Sequence, residues 1–359
     1  MKGLTYFEQY KKIMTWMRGE TDHLPPPVEV NLDPYAECNN RCYFCITQRY
    51  LVTQRDEVGE MRKLPVIYMI DLINFLAKWG VKGLCISGGG EPTLHEGVWT
   101  LPSYARHKGL DVALVTNMSI MNPALANSMI DCRWVAMSVN APDAETYHKI
   151  AGIDHFKTVI KNIETVVQLR SIKRSKVDLC FKYLLLPENQ KGIYEACRLA
   201  KSLGVQDFHV RPVDFEREDI KGHRKLKLNK RLIEEEFERC HEIETDSFHV
   251  FTISHKFDSD FHNIQPFQKC LATPILMTVL TDGNSYICVD KKMMADYRLG
   301  SAYPNPESIL EWWGSQAHRE RLLKICPKTD CAGMRCTFNR YNEQIEQVVE
   351  NDRMCLSFP

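Results

Sequence analysis

The sequence has no excess of charge of either sign: 46 Lys and Arg stand against 46 Asp and Glu in 359 residues. A neutral chain makes no general electrostatic case for binding nucleic acid or an anionic membrane. There is no apolar run of the roughly 18 residues needed to cross a bilayer. Met1–Glu20 is charged throughout and lacks the continuous apolar stretch of a secretory signal. Internal repeats and low-complexity segments are also missing. With 44% hydrophobic and 26% charged residues the chain has the composition of a folded protein. The expectation is a cytoplasmic protein with neither membrane nor nucleic acid as partner.

Cysteine is the residue in excess, at 14. In a reducing compartment these are not expected to be disulfides. They are left as metal ligands, nucleophiles or small buried hydrophobes. Single cysteines inside apolar runs, such as Cys85 and Cys180, read as core residues. Cys38, Cys42 and Cys45 crowd near the start, and Cys270, Cys288, Cys326, Cys331, Cys336 and Cys355 crowd near the end.

Between residues 28 and 212 short β-branched runs alternate with stretches of helical period. The runs are Val28–Leu32, Gly83–Ser87, Val112–Val115, Trp134–Val139, Val177–Leu186 and Asp207–Arg211. Strands separated by helices imply parallel pairing with right-handed crossovers and functional groups at the C-terminal strand ends. The segments divide as an N-terminal helix (1–25), an α/β unit (26–213), a connector with an acidic helix (214–262) and a Cys-rich module (263–359). The amphipathic stretch Met1–Arg18 is expected to cap the α/β unit.

The first strand is followed by Cys38-Asn-Asn-Arg-Cys42-Tyr-Phe-Cys45. A structural zinc wants a closed shell of four ligands. Three thiolates instead suit a cubane [4Fe–4S] cluster that leaves one iron open to a second molecule. This CxxxCxxC spacing, with Phe44 before the last cysteine, resembles the radical S-adenosylmethionine superfamily. The resemblance implies a partial (β/α)6 barrel, a [4Fe–4S] cluster and S-adenosylmethionine. It also implies one-electron cleavage of that cofactor to a 5′-deoxyadenosyl radical that takes a hydrogen atom from substrate.

Further segments carry the resemblance. Ser87-Gly-Gly89-Gly90-Glu91-Pro matches the family loop that binds the amino end of S-adenosylmethionine, so Gly89, Gly90 and Glu91 inherit that role. Thr116-Asn117-Met118 resembles a Thr-Asn-Gly turn, with Met118 in place of glycine. Ser138 stands where the family contacts the ribose. The Ile-Arg-Gly segment that often supplies an arginine reads Ile150-Ala151-Gly152 here. Lys149, Lys182 and Arg211 are then alternative partners for the cofactor carboxylate.

In the C-terminal module, Cys270-x12-Gly283-x4-Cys288 resembles the opening of SPASM and twitch domains, with a turn at Thr281-Asp-Gly-Asn284 between two apolar arms of a hairpin. Those domains carry auxiliary [4Fe–4S] clusters. Cys326-x4-Cys331-x4-Cys336 departs from the full SPASM spacing, and six cysteines are too few for two fully Cys-ligated clusters. One auxiliary cluster is implied, held by Cys270 and Cys288 with two of Cys326, Cys331 and Cys336.

Such an assembly implies an oxidoreductase that dehydrogenates a small molecule (a sugar, aminocyclitol or nucleotide-like compound) and receives electrons from flavodoxin or ferredoxin. The alternatives are a peptide- or protein-modifying maturase, an epimerase and, in a different class, a non-catalytic iron–sulfur electron carrier.

Overall fold

The computed structural model describes residues 6–47, 61–213, 227–252, 265–332, 334 and 336–350. Met1–Thr5, residues 214–226 and 253–262 of the expected connector, and Cys355 lie outside these. Strands β1 (Glu29–Leu32), β2 (Gly83–Ile86), β3 (Asp111–Thr116), β4 (Trp134–Ser138), β5 (Asp178–Leu185) and β6 (Asp207–Pro212) alternate with helices, as the periodicity predicts. The helices following β1 to β5 are α2 (Val66–Trp79), α3 (Leu101–His107), α4 (Pro123–Asp131), α5 (Ala144–Ala151), α6 (Phe156–Lys173) and α7 (Ile193–Leu203), while α1 (Phe7–Met17) precedes β1. The acidic helix α8 spans Lys230–Glu242.

The sheet has two more strands than the six expected. β7 (His249–Thr252) pairs with β6, and β8 (Leu276–Val279) pairs with β1. Among the described residues the order is β7-β6-β5-β4-β3-β2-β1-β8, all parallel, an open eight-stranded sheet. β8 is the first arm of the expected hairpin, and the turn forms, with Leu280 N donating to the Asn284 carbonyl at 3.0 Å, but the two arms take different ladder partners. β8 joins the barrel sheet, while the second arm, β9 (Asn284–Tyr286), pairs antiparallel with β10 (Arg298–Ser301). An Asp-Gly turn fixes only the local reversal, and the pairing partners are long-range.

Residue alternation sorts the two faces of the sheet. Val30, Leu32, Leu84, Ile86, Val135, Met137, Leu179 and Phe181 are fully or almost fully buried among the helices. The other face carries Asn31, Cys85, Ala136, Ser138, Cys180, Lys182 and His209, a row of small and polar groups. Helix α1 buries Ile13, Met14 and Trp16, and Trp16 Nε1 donates to the Gly314 carbonyl at 2.8 Å. It thus ties the chain start to the C-terminal module. Among the described residues no helix is long and apolar enough to cross a membrane.

Candidate cofactor loop and four-cysteine cavity

Cys38, Cys42 and Cys45 follow β1 on a loop fastened at three points. At its first cysteine, the Asn40 amide donates to Cys38 Sγ (3.4 Å), and Asn117 Nδ2 donates to Asn39 Oδ1 (2.8 Å) with Cys38 Sγ at 3.9 Å. In its middle, Arg41 N donates to the Ala151 carbonyl at 2.8 Å. Gly152 has φ 67°, and a Cβ there would lie 3.1 Å from Arg41. The Ile150-Ala151-Gly152 segment therefore seats the cysteine loop. At the far end Thr47 Oγ1 stands 2.9 Å from Cys45 Sγ and donates to the Gly89 carbonyl at 2.8 Å.

Burial pushes the thiol of Cys38 up to about 11, with Glu91 and Cys45 adding to the rise and hydrogen bonds from Asn40 and Asn117 opposing it, and burial with the charges of Cys45 and Cys38 pushes that of Cys42 up to about 12. Thiols held protonated this way become ligands by giving up protons to a metal centre. N–H donors aimed at sulfur are the surroundings that tune iron–sulfur clusters. The loop therefore fits a three-thiolate cubane.

The glycine-rich loop after β2 is packed onto this segment. Glu91 N donates to the Glu37 carbonyl at 2.8 Å, immediately before Cys38. The buried Glu91 carboxylate is enclosed by donors. Its Oε1 accepts from Thr93 N (3.1 Å), Thr93 Oγ1 (2.6 Å) and Thr116 Oγ1 (2.6 Å), and its Oε2 accepts from Asn117 N (2.7 Å). Burial raises the pKa of Glu91, and these hydrogen bonds oppose the rise. Asn117 is held in turn, its Oδ1 accepting from Ser119 N (2.9 Å) and Oγ (2.6 Å). Met118 adopts the left-handed conformation of the glycine it replaces (φ 60°), and its carbonyl accepts from Asn162 Nδ2 at 2.7 Å.

Ser138 ends β4, half-buried, opposite Lys182 on β5. Lys182 Nζ lies 2.8 Å from His209 Nδ1, and Arg211 follows on β6. Lys149 instead projects from α5 to solvent and pairs with Glu145 at 2.6 Å. Of the three cations, Lys182 and Arg211 lie on strands of the sheet, Lys182 within β5 and Arg211 near the end of β6.

In the C-terminal module Cys270, Cys288, Cys331 and Cys336 line one largely enclosed cavity, together with Phe267, Ile325, Met334 and Phe338. Burial pushes the Cys270 and Cys288 thiols well above the ordinary range, with Cys288 and Cys331 adding to the rise at Cys270, and Asp290, Cys336 and Cys331 at Cys288. Cys326 is not part of this group. It is exposed, and a hydrogen bond with Thr329 holds its thiol below the usual value. Two side chains that sequence reasoning did not single out organise the cavity. Asp290 accepts from Thr337 N (2.7 Å) and Oγ1 (2.9 Å), joining the Cys336 loop to the Cys288 turn, and Asp290 N donates to Cys288 Sγ at 3.4 Å. Lys292 reaches Asp33 beyond the end of β1 at 2.7 Å, which docks the module onto the barrel. No sequence signal links partners so far apart.

Among the described residues, no group of three or more His, Cys, Asp or Glu is tight enough to hold a single metal ion.

The family model described as Radical SAM superfamily matches residues 33–209. A probable GTP 3′,8-cyclase of Saccharolobus islandicus is 25% identical over 208 residues, 55% of this chain and 61% of that protein. The AdoMet-dependent heme synthase of Methanosarcina barkeri is 26% identical over 180 residues, covering 49% and 47%. The chain thus spans less than two thirds of the length of these relatives. In fold it is similar to Streptococcus suis SuiB bound to S-adenosylmethionine, with TM-score 0.65, 14% identity and coverage of 85% and 70%. Native anSMEcpe with bound AdoMet gives 0.59, 16%, 88% and 89%.

Proposed function

We propose, from the premise that residues 33–209 are a radical SAM domain, that the chain is a radical S-adenosylmethionine oxidoreductase acting on a polar small molecule with the help of one auxiliary [4Fe–4S] cluster. The observation that carries this reading is the pairing of two thiol sites in one chain. One is a three-cysteine loop locked to the Gly89–Glu91 segment, and the other is a cavity lined by four cysteines.

When bound at Cys38, Cys42 and Cys45, the first cluster with S-adenosylmethionine supplies the 5′-deoxyadenosyl radical that abstracts hydrogen. The protein's part is binding, orientation and exclusion of water. Gly89 and Gly90 keep the loop backbone bare for the amino end of the cofactor, and Glu91 holds that loop to β3. Asn117 and Ser138 border the same strand ends, and Lys182 or Arg211 faces the cofactor carboxylate. The row of Asn31, Asp33, Cys85 and Lys182 offers a polar substrate several hydrogen-bonding groups. Cys270, Cys288, Cys331 and Cys336 hold the auxiliary cluster, the acceptor for the electron left on substrate, in the manner of twitch domains. A flavodoxin or ferredoxin supplies the first electron. A second reading is a peptide substrate, because SuiB, whose fold this chain shares, was also solved with its precursor peptide SuiA.

Anaerobic reconstitution tests the pairing. The protein should hold about eight iron atoms, four per cubane, and reduced protein should convert S-adenosylmethionine to 5′-deoxyadenosine. About four iron atoms would remove the auxiliary cluster. Intact clusters with no 5′-deoxyadenosine and no binding of S-adenosylmethionine would favour an electron carrier.

A further inference from the structure

Asn342 lies on the helix Asn339–Gln344, fully buried, behind the turn that carries Cys270. Its Oδ1 accepts from two successive backbone amides, Leu271 N at 2.6 Å and Ala272 N at 2.8 Å. Both neighbours on that side are donors, which fixes the orientation of the amide: the oxygen must face the turn and the NH2 group must face the other way. That NH2 group is buried, and among the described residues no oxygen or nitrogen acceptor meets it. A buried donor without an acceptor is costly and calls for an explanation. The sulfur of Cys270 supplies one: Cys270 directly precedes the two amides that Asn342 accepts from, and its side chain and that of Asn342 share a hydrogen-bonding contact. A neutral thiol is a weak acceptor, whereas a thiolate bound to iron is a strong one.

We propose that Asn342 is a positioning residue for the auxiliary cluster: its Oδ1 fixes the turn that presents Cys270, and its Nδ2 donates an N–H···S bond to the Cys270 thiolate, which raises the cluster's reduction potential. The proposal rests on reading the four-cysteine cavity as a cluster site. Hydrogen bonds to ligand sulfur are one of the protein's levers on such potentials. They stabilise the more electron-rich reduced state, as an electron acceptor requires. Asn342 therefore combines two tasks that a purely structural residue would not.

The test uses the full chain, anaerobically reconstituted, titrated with dithionite and followed by EPR. The auxiliary signal is the one that S-adenosylmethionine leaves unchanged. Asn342→Asp keeps an oxygen for Leu271 and Ala272 but removes the donor. It should retain about eight iron atoms. At the normal midpoint its reduced-to-oxidised ratio should fall about tenfold, or about 59 mV for one electron. An unchanged midpoint in a variant with full iron content overturns the role of Asn342. An unsubstituted protein with only about four iron atoms and no SAM-insensitive signal overturns the cluster reading itself. Should Asn342→Asp fail to assemble, the unsubstituted protein still decides the matter. Grown with 15N-asparagine, its reduced auxiliary cluster should show a weakly coupled 15N in pulsed EPR, and the absence of that coupling overturns the N–H···S bond.

Discussion

Gly90 lies so close to Glu37 that a Cβ added to it would stand 2.1 Å from the Glu37 carbonyl oxygen, the same oxygen that accepts from Glu91 N. The glycine-rich loop and the residue before Cys38 are therefore one packed unit. Family resemblance assigns Gly90 to cofactor contact, and the structure adds a second reason for glycine at this place.

Gly90→Ala is thus expected to push the cysteine loop away. Backbone on both sides of the contact leaves no flexible side chain to yield. The variant should reconstitute with about four fewer iron atoms while the auxiliary cluster remains. Iron analysis alongside visible absorption checks this, and normal iron content would show that the loop relaxes without losing its ligands.

Glu91 gives a second expectation. Its carboxylate is the common acceptor for four donors from Thr93, Thr116 and Asn117. Glu91→Ala leaves buried amides and hydroxyls without acceptors, each costing about 1–3 kcal/mol. Destabilisation by about 2–4 kcal/mol is expected after partial relaxation, measured by urea denaturation of the metal-free protein. Weaker binding of S-adenosylmethionine should accompany it. A loss of binding with no loss of stability would instead make Glu91 a direct cofactor ligand and nothing more.

The six strand–helix units were legible in the sequence because each strand is short, β-branched and followed by a helix with its own period. The cysteine loop was legible because its spacing is local. The turn after β8 was legible but the pairing of β8 with β1 was not, since an Asp-Gly turn announces a reversal and not the ladder partner. Cys326 could not be told apart from Cys331 by spacing. Only the fold leaves one at the surface and turns the other into the cavity. The Asp33–Lys292 and Asn342–Cys270 relationships join residues of ordinary type at long range, and nothing local marks them.

His318 predicts an acid-sensitive junction. Its ring is buried between Trp16 and Trp313, with centroids 5.1 Å from each, and accepts from Gly314 N at 3.2 Å. Burial, helped by Arg321, pushes its pKa down from 6.5 to about 3. Between those values the unfolded chain binds a proton that the folded chain refuses, so stability is full above the unfolded pKa and falls with pH below it. The slope is about 1.4 kcal/mol per pH unit from this one group. Denaturation at pH 7 and pH 5 should show the loss, and His318→Gln should flatten that slope whatever it does to stability at pH 7. An equally steep slope in the variant would place the acid sensitivity elsewhere.

The cysteines of the C-terminal module give the last expectation. Cys331 and Cys336 share the cavity with Cys270 and Cys288, whereas Cys326 is exposed at the head of the short helix Pro327–Asp330. A thiolate inside the cavity replaces a costly buried group with an iron bond, so its loss should unload the cluster. Cys331→Ser is therefore expected to lose about four iron atoms and the auxiliary EPR signal, yet still make 5′-deoxyadenosine, since that needs only the first cluster and the cofactor. Cys326→Ser should keep its iron and both signals. The reverse pattern would make Cys326, and not Cys331, the cluster ligand. If both variants keep full iron, the fourth ligand is neither cysteine, and Cys355 or a non-thiol group takes its place.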